Sequence, residues 1–157
     1  MVQSSKKGFK TLLLIAIALV AMASVAFAFS LPGMGKYEKV KPAAGSVTIP
    51  VAKVSDGKAH FYKFEDAGKE INFFIVKGSD GQLHVAFDAC DVCYHEKKGY
   101  EQQGDKMNCL NCNQKFAINR IGAASGGGCN PSHLPAKVDG GKVTISVNEL
   151  KAGARFF

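Results

Sequence analysis

Ile71-Asn72-Phe73-Phe74-Ile75-Val76, the turn Gly78-Ser79-Asp80-Gly81, then Leu83-His84-Val85-Ala86-Phe87 and, two residues on, Cys90-Asp91-Val92-Cys93 form the run that decides the fold. The first segment is almost continuously apolar, which predicts a central strand buried on both faces. The second alternates apolar and polar residues. With the tight turn between them, the two predict a hairpin whose second strand delivers a Cys-x-x-Cys loop.

Working outward, the pattern stays strand-like. Val47-Thr48-Ile49 and Val51 are β-branched, and Ala59-His60-Phe61-Tyr62-Lys63-Phe64 is rich in aromatics. Turn signals at Ser55-Asp56-Gly57, Asp66-Ala67-Gly68 and Gly140-Gly141 separate short segments. Lys115-Phe116-Ala117-Ile118 and Lys142-Val143-Thr144-Ile145-Ser146-Val147 predict two more strands, and residues 148–154 suit one short helix. The expected class is all-β, a small sandwich or barrel.

The first residues read differently. Lys6, Lys7 and Lys10 precede an apolar run from Leu12 to Phe29, and Ala26-Phe27-Ala28 suits signal-peptidase cleavage. Residues 1–28 are expected to be a signal peptide, or else a membrane anchor through residues 11–29, since the run is just long enough to span a bilayer. Either outcome places the remainder in the periplasm or on the outer face of the cytoplasmic membrane. Residues 29–45, with Pro32, Gly33, Gly35, Pro42 and Gly45, read as a linker or loose arm. Residues 46–157 form the expected β domain. Without the leader's three lysines, 17 basic and 13 acidic residues remain, a net charge of +4. The lysines are scattered, with no basic stripe interleaved with aromatics, so nucleic acid is not an expected partner.

The chemistry concentrates in two knuckles. Cys90-Asp91-Val92-Cys93 and Cys109-Leu110-Asn111-Cys112 are separated by the 15 residues Tyr94 to Asn108. Two-residue gaps turn both sulfurs of a pair toward one point, so Cys90, Cys93, Cys109 and Cys112 are expected to share one metal centre. Four soft sulfurs select zinc, an iron–sulfur cluster or cuprous copper. Asn113 tolerates the left-handed backbone that such a knuckle needs. Cys129, in Gly126-Gly127-Gly128-Cys129-Asn130-Pro131, is a candidate fifth ligand, ligand-exchange partner or resolving thiol, or else a small buried side chain. His95 is a candidate ligand as part of Cys93-Tyr94-His95, against the plainer reading of an exposed loop histidine. His133 is a candidate neighbour of the centre, while His60 and His84 read as structural or surface residues. Tyr94, Tyr100 and Phe116 are expected to wall the centre from water. Asp88, Asp91 and Glu96 read as solvated charges. Neither a nucleophile–base pair for hydrolysis nor a βαβ context for a thioredoxin-like site is evident. The glycine-rich loop Gly122–Gly128 matches no phosphate-binding pattern.

Longer strings carry a resemblance. Ala86-Phe87-Asp88-Ala89-Cys90-Asp91-Val92-Cys93-Tyr94, Lys98-Gly99-Tyr100, Met107-Asn108-Cys109, Cys112 and Gly127-Gly128-Cys129-Asn130-Pro131 resemble the FtrD-like family of membrane iron–sulfur proteins. The resemblance implies an iron–sulfur cofactor on Cys90, Cys93, Cys109 and Cys112, with Cys129 a further signature position, and a link to bacterial iron uptake. In order of elements the chain is also similar to Rieske ferredoxins, with cysteine at all four ligand positions. Four cysteines imply a lower potential than a Rieske centre has. The expected function is an extracytoplasmic electron carrier, with [2Fe–2S] the candidate cluster and a redox protein or an iron-uptake membrane complex the expected partner. A zinc or copper module and a thiol–disulfide oxidoreductase are the alternatives. Ser5-Lys6-Lys7-Gly8-Phe9-Lys10 resembles a twin-arginine export signal with lysine in place of both arginines.

Overall fold

The computed structural model describes residues 35–122 and 128–157. The expected leader, residues 29–34 of the expected linker and residues 123–127 of the glycine-rich loop lie outside the described residues.

The central strand is where the sequence puts it. Strand β4 (Lys69–Lys77) pairs antiparallel with β3 (His60–Asp66) on one side and β5 (Leu83–Phe87) on the other. Its alternating side chains feed two separate cores. Ile71, Phe73 and Ile75 pack with Val47 and Ile49 of β2 (Ser46–Pro50) and with Val143 and Ile145 of β10 (Lys142–Ser146). Phe74 and Val76 point the other way, into a cluster with Ala86, Tyr100, Met107, Cys90 and Cys109. β4 is thus buried on both faces, because a strand with apolar residues at both parities has no side to offer to water.

Three small sheets result. The first is β1 (Glu38–Val40), β3, β4 and β5; the second is β2, β10 and β9 (Lys137–Asp139); the third is β6 (Tyr100–Gln103), β7 (Lys106–Cys109) and β8 (Lys115–Ala117). Among the described residues they do not close into a barrel, so the β class holds and the barrel alternative does not. Helix α1 (Val147–Ala152) starts where Ser146 accepts a hydrogen bond from the Glu149 N–H at 3.2 Å, a side-chain cap on an otherwise orphaned donor. A 3₁₀ turn, Gly153–Phe156, closes the chain against the first core.

Two expectations are corrected. Residues 36–40 are not a loose arm: β1 pairs in parallel with β3, from Glu38 opposite Tyr62 to Val40 opposite Phe64. Nor is Asp88 a solvated charge; only 4% of it is exposed. Its carboxylate accepts from Lys36 Nζ at 2.5 Å, Tyr37 Oη at 2.5 Å and the Tyr100 N–H at 2.7 Å. These donors come from residues far away in sequence, so nothing local to Asp88 announces them. Burial is tolerable because the charge is paired and fully hydrogen-bonded. Gly99 is part of this clamp. Its φ is +68°, and a Cβ there would lie 2.6 Å from an Asp88 carboxylate oxygen.

Asp88→Ala strips the counter-charge from Lys36 and orphans the Tyr100 N–H, so it should cost roughly 2–4 kcal/mol in denaturant unfolding. A loss under about 0.5 kcal/mol, the scale of an exposed ion pair, would contradict the clamp. A second site probes the first core. A Cβ on Gly153 would sit 2.2 Å from the Phe87 ring, so Gly153→Ala should destabilise by roughly 1–3 kcal/mol through overpacking; an unchanged midpoint would refute that contact.

Candidate metal centre

The first knuckle hangs from the end of β5. The Asp88 N–H donates to the Asn72 carbonyl at 2.9 Å, extending the ladder by one residue. A strap from residues 129–134 holds the backbone on either side of Asp88: the Phe87 N–H donates to the Ser132 carbonyl, and the Ser132 N–H donates to the Ala89 carbonyl, each at 2.9 Å. Cys90 emerges from this held backbone, and the Cys93 N–H turns back onto Cys90 Sγ at 3.1 Å. Lys97, at φ 51°, and Gly99, at φ 68°, reverse the chain into β6.

The second knuckle hangs from β7, which ends on Cys109, directly opposite Tyr100 of β6. The Asn113 N–H donates to the Cys109 carbonyl at 2.8 Å, and the Cys109 N–H to the Gln114 carbonyl at 2.9 Å. Asn113 takes the left-handed backbone its residue type permits, with φ 57°. The N–H groups of Asn111 and Cys112 point at Cys109 Sγ, and that of Gln114 at Cys112 Sγ. Both knuckles therefore aim main-chain donors at sulfur.

The knuckles meet. All five cysteines are free thiols, and they form two overlapping groups: Cys90, Cys93 and Cys129 in one, and Cys93, Cys109 and Cys112 in the other. Within each group the sulfurs lie within 4.8 Å of one another. Cys93 belongs to both. Cys90 and Cys109 are buried, Cys93 and Cys129 half-buried and Cys112 exposed. The Tyr100 hydroxyl donates to the Cys129 carbonyl, so a buried aromatic from β6 holds the strap against the knuckles.

Burial pushes the Cys109 thiol up to about 11. Burial raises Cys129 further, with the neighbouring Cys93 and Cys112 thiols adding to the effect. At Cys112 burial also opposes ionisation, but the Gln114 N–H and the Cys109, Cys129 and Cys93 thiols outweigh it and hold the group below its usual value. Burial, the Cys90 thiol and the other sulfurs together keep Tyr100 a neutral phenol. Burial thus disfavours the thiolates of Cys109 and Cys129, and a cation among the sulfurs reverses that balance. An all-sulfur donor set, with amides directed at the sulfurs, fits an iron–sulfur cluster or another soft metal centre.

The other expected site residues are distributed less evenly. His95 is exposed, stacks on Tyr94 with ring centroids 3.8 Å apart, and belongs to neither thiol group. Tyr100 and Phe116, with centroids 6.5 Å apart, wall the sulfurs, whereas Tyr94 turns to the first core and meets Phe156 edge-on at 5.8 Å. Asp91 and Glu96 are exposed, and Asp91 lies 3.5 Å from Arg155. His84 Nδ1 donates to the Ile121 carbonyl at 2.8 Å, a structural role. His133 forms a β-bridge with Ala86. Residue-type reading missed two features. One is the Lys36–Tyr37–Asp88 clamp beneath the first knuckle. The other is the exposure of Val92 (60%) and Leu110 (42%), the apolar residues inside the two Cys-x-x-Cys gaps. Their position inside the two Cys-x-x-Cys gaps was a usable signal for the second. A cleft of about 410 Å³ beside the sulfurs is lined by Cys90, Cys93, Cys109, Lys97, Lys98 and Asn111, among others.

Tyr100→Phe removes one hydrogen bond and should cost roughly 0.5–1.5 kcal/mol. It should also speed alkylation of Cys129 in the metal-free protein, read by mass spectrometry. Unchanged labelling would show that the hydroxyl does not hold the strap.

Residues 54–157 match the family described as membrane iron-sulfur containing protein FtrD-like, and the chain belongs to that family. No match is found among curated proteins. Among the described residues, no helix is long and apolar enough to cross a membrane.

Proposed function

We propose that this FtrD-like protein is an extracytoplasmic electron carrier in which Cys90, Cys93, Cys109 and Cys112 hold an iron–sulfur cluster, [2Fe–2S] being the form considered. The observation that carries the reading is the meeting of two Cys-x-x-Cys knuckles, each with main-chain N–H groups turned onto sulfur. A cluster of this kind supplies one-electron chemistry at a potential set by its hydrogen bonds and solvent exposure. The chain's own residues supply the rest. Cys90 and Cys109 are anchored in an apolar cluster with Tyr100, Met107 and Ile118, which excludes water from the inner side. Strands β5 and β7 fix both knuckles, which limits movement on a change of charge.

The outer side favours contact with another protein. Val92 and Leu110 stand exposed at the knuckle tips, and Cys112 is exposed beside them. Surface apolar residues at a redox centre are suited to brief docking. A redox partner protein, or an iron-uptake membrane complex, fits the family's membrane association. The apolar run at residues 12–29 supports export, with or without retention as an anchor.

Protein isolated without oxygen from its native host should contain iron and acid-labile sulfide in equal amounts. Its visible absorption should bleach with dithionite. Colourless protein with one zinc and no sulfide would replace this reading with a structural metal module. One equivalent of copper would make it a copper carrier.

A further inference from the structure

The site contains one sulfur more than either a four-cysteine cluster or a tetrahedral ion uses, and the fifth is placed like the others. Two thiolates on one tetrahedral ion, each at roughly 2.3 Å, stand about 3.8 Å apart. Cys93 Sγ and Cys129 Sγ are 3.5 Å apart. Cys129 shares a three-sulfur group with Cys90 and Cys93, and the Cys112 thiol interacts with those of both Cys93 and Cys129. Its backbone is held as firmly as the knuckles: Tyr100 binds the Cys129 carbonyl, and Ser132 bonds to both Phe87 and Ala89. Gly128, at φ +73°, turns the chain into Cys129 with a left-handed backbone that glycine adopts without strain. Cys112, by contrast, is the one exposed sulfur of the five.

We propose that Cys129 is a working ligand and that it and Cys112 are interchangeable at one coordination position of the centre. The inference rests on reading the knuckles as a thiolate-held centre. In the exchange, the Cys129 sulfur takes the position that the Cys112 sulfur leaves, and one proton passes from the first to the second. No electron is transferred, and the number of coordinating sulfurs stays at four. The protein can thereby keep a complete sulfur shell when the exposed thiol is modified, oxidised or drawn onto a partner.

Cobalt(II) titration of the metal-free protein tests this, because sulfur-to-cobalt absorption reports how many thiolates bind and needs no sulfide. Cys112→Ser and Cys129→Ser should each bind one cobalt with a four-sulfur spectrum and lose less than about tenfold in affinity. The double variant should lose at least about a hundredfold and show three-sulfur absorption. Cys109→Ser, which has no substitute, should resemble the double variant. The proposal is overturned if Cys129→Ser matches the unsubstituted protein while Cys112→Ser alone falls as far as the double. It is equally overturned if Cys129→Ser alone falls that far, or if the double variant binds as well as the singles. Alanine variants and far-ultraviolet circular dichroism separate lost ligation from lost folding. A failure here leaves the iron and sulfide content untouched, so the two proposals stand or fall separately.

Discussion

Strand β4 has no face left for water, and this constraint organises the rest of the molecule. Its odd-numbered residues from Ile71 to Ile75 demand one apolar partner surface, and Phe74 and Val76 demand another. The β2–β10 pair supplies the first. The second falls to the small β6–β7–β8 sheet, whose inner residues include Tyr100, Met107 and Cys109. Because β5 runs beside β4 and ends at Phe87, covering Phe74 and Val76 also brings the β7 end to the β5 end. The two cysteine knuckles meet as a consequence of how β4 is buried.

The same arrangement sets the electrostatics. Cys90 and Cys109 sit in an apolar cluster, where an unpaired thiolate is costly, yet amide groups point at the sulfurs. Such a site is poised for a cation and uncomfortable without one. Below it, the buried Asp88 ties the N-terminal Lys36 and Tyr37 to the start of β6, so the first knuckle rests on a paired charge rather than on a free loop. The tips face outward, with Val92 and Leu110 exposed. Buried sulfurs thus lie beneath an accessible apolar rim.

Much of this was legible in the sequence because it is periodic or motif-borne. The double parity of Ile71–Val76 announced a two-faced strand, and the alternation of Leu83–Phe87 announced its neighbour. The two Cys-x-x-Cys gaps located the knuckles, and Asn113 marked the left-handed turn. What escaped was non-local. Of the third sheet, β8 was read from Lys115–Ile118, but the β6–β7 hairpin stayed hidden because Glu101, Gln102, Gln103 and Lys106 dilute the alternation of Tyr100, Met107 and Cys109. Only the two-residue turn Gly104-Asp105, with Gly104 at φ 62°, hinted at a hairpin there. Strand β1 escaped because a three-residue parallel edge needs only backbone groups, which leave little trace in side-chain pattern. Asp88 escaped because its partners lie 12, 51 and 52 residues away. His95 shows the converse: a suggestive neighbour in sequence lies exposed in the 3₁₀ turn Tyr94–Glu96, against the Tyr94 ring and in neither thiol group.

The central claim is that two knuckles close around one centre ligated by sulfur alone. X-ray absorption at the metal edge of the loaded protein tests it most directly, since it counts the nearest neighbours of the metal by element. The account predicts a shell of four sulfurs with no nitrogen or oxygen, and a second iron close by. A shell containing histidine nitrogen or water oxygen, or one of fewer than four sulfurs, would contradict it.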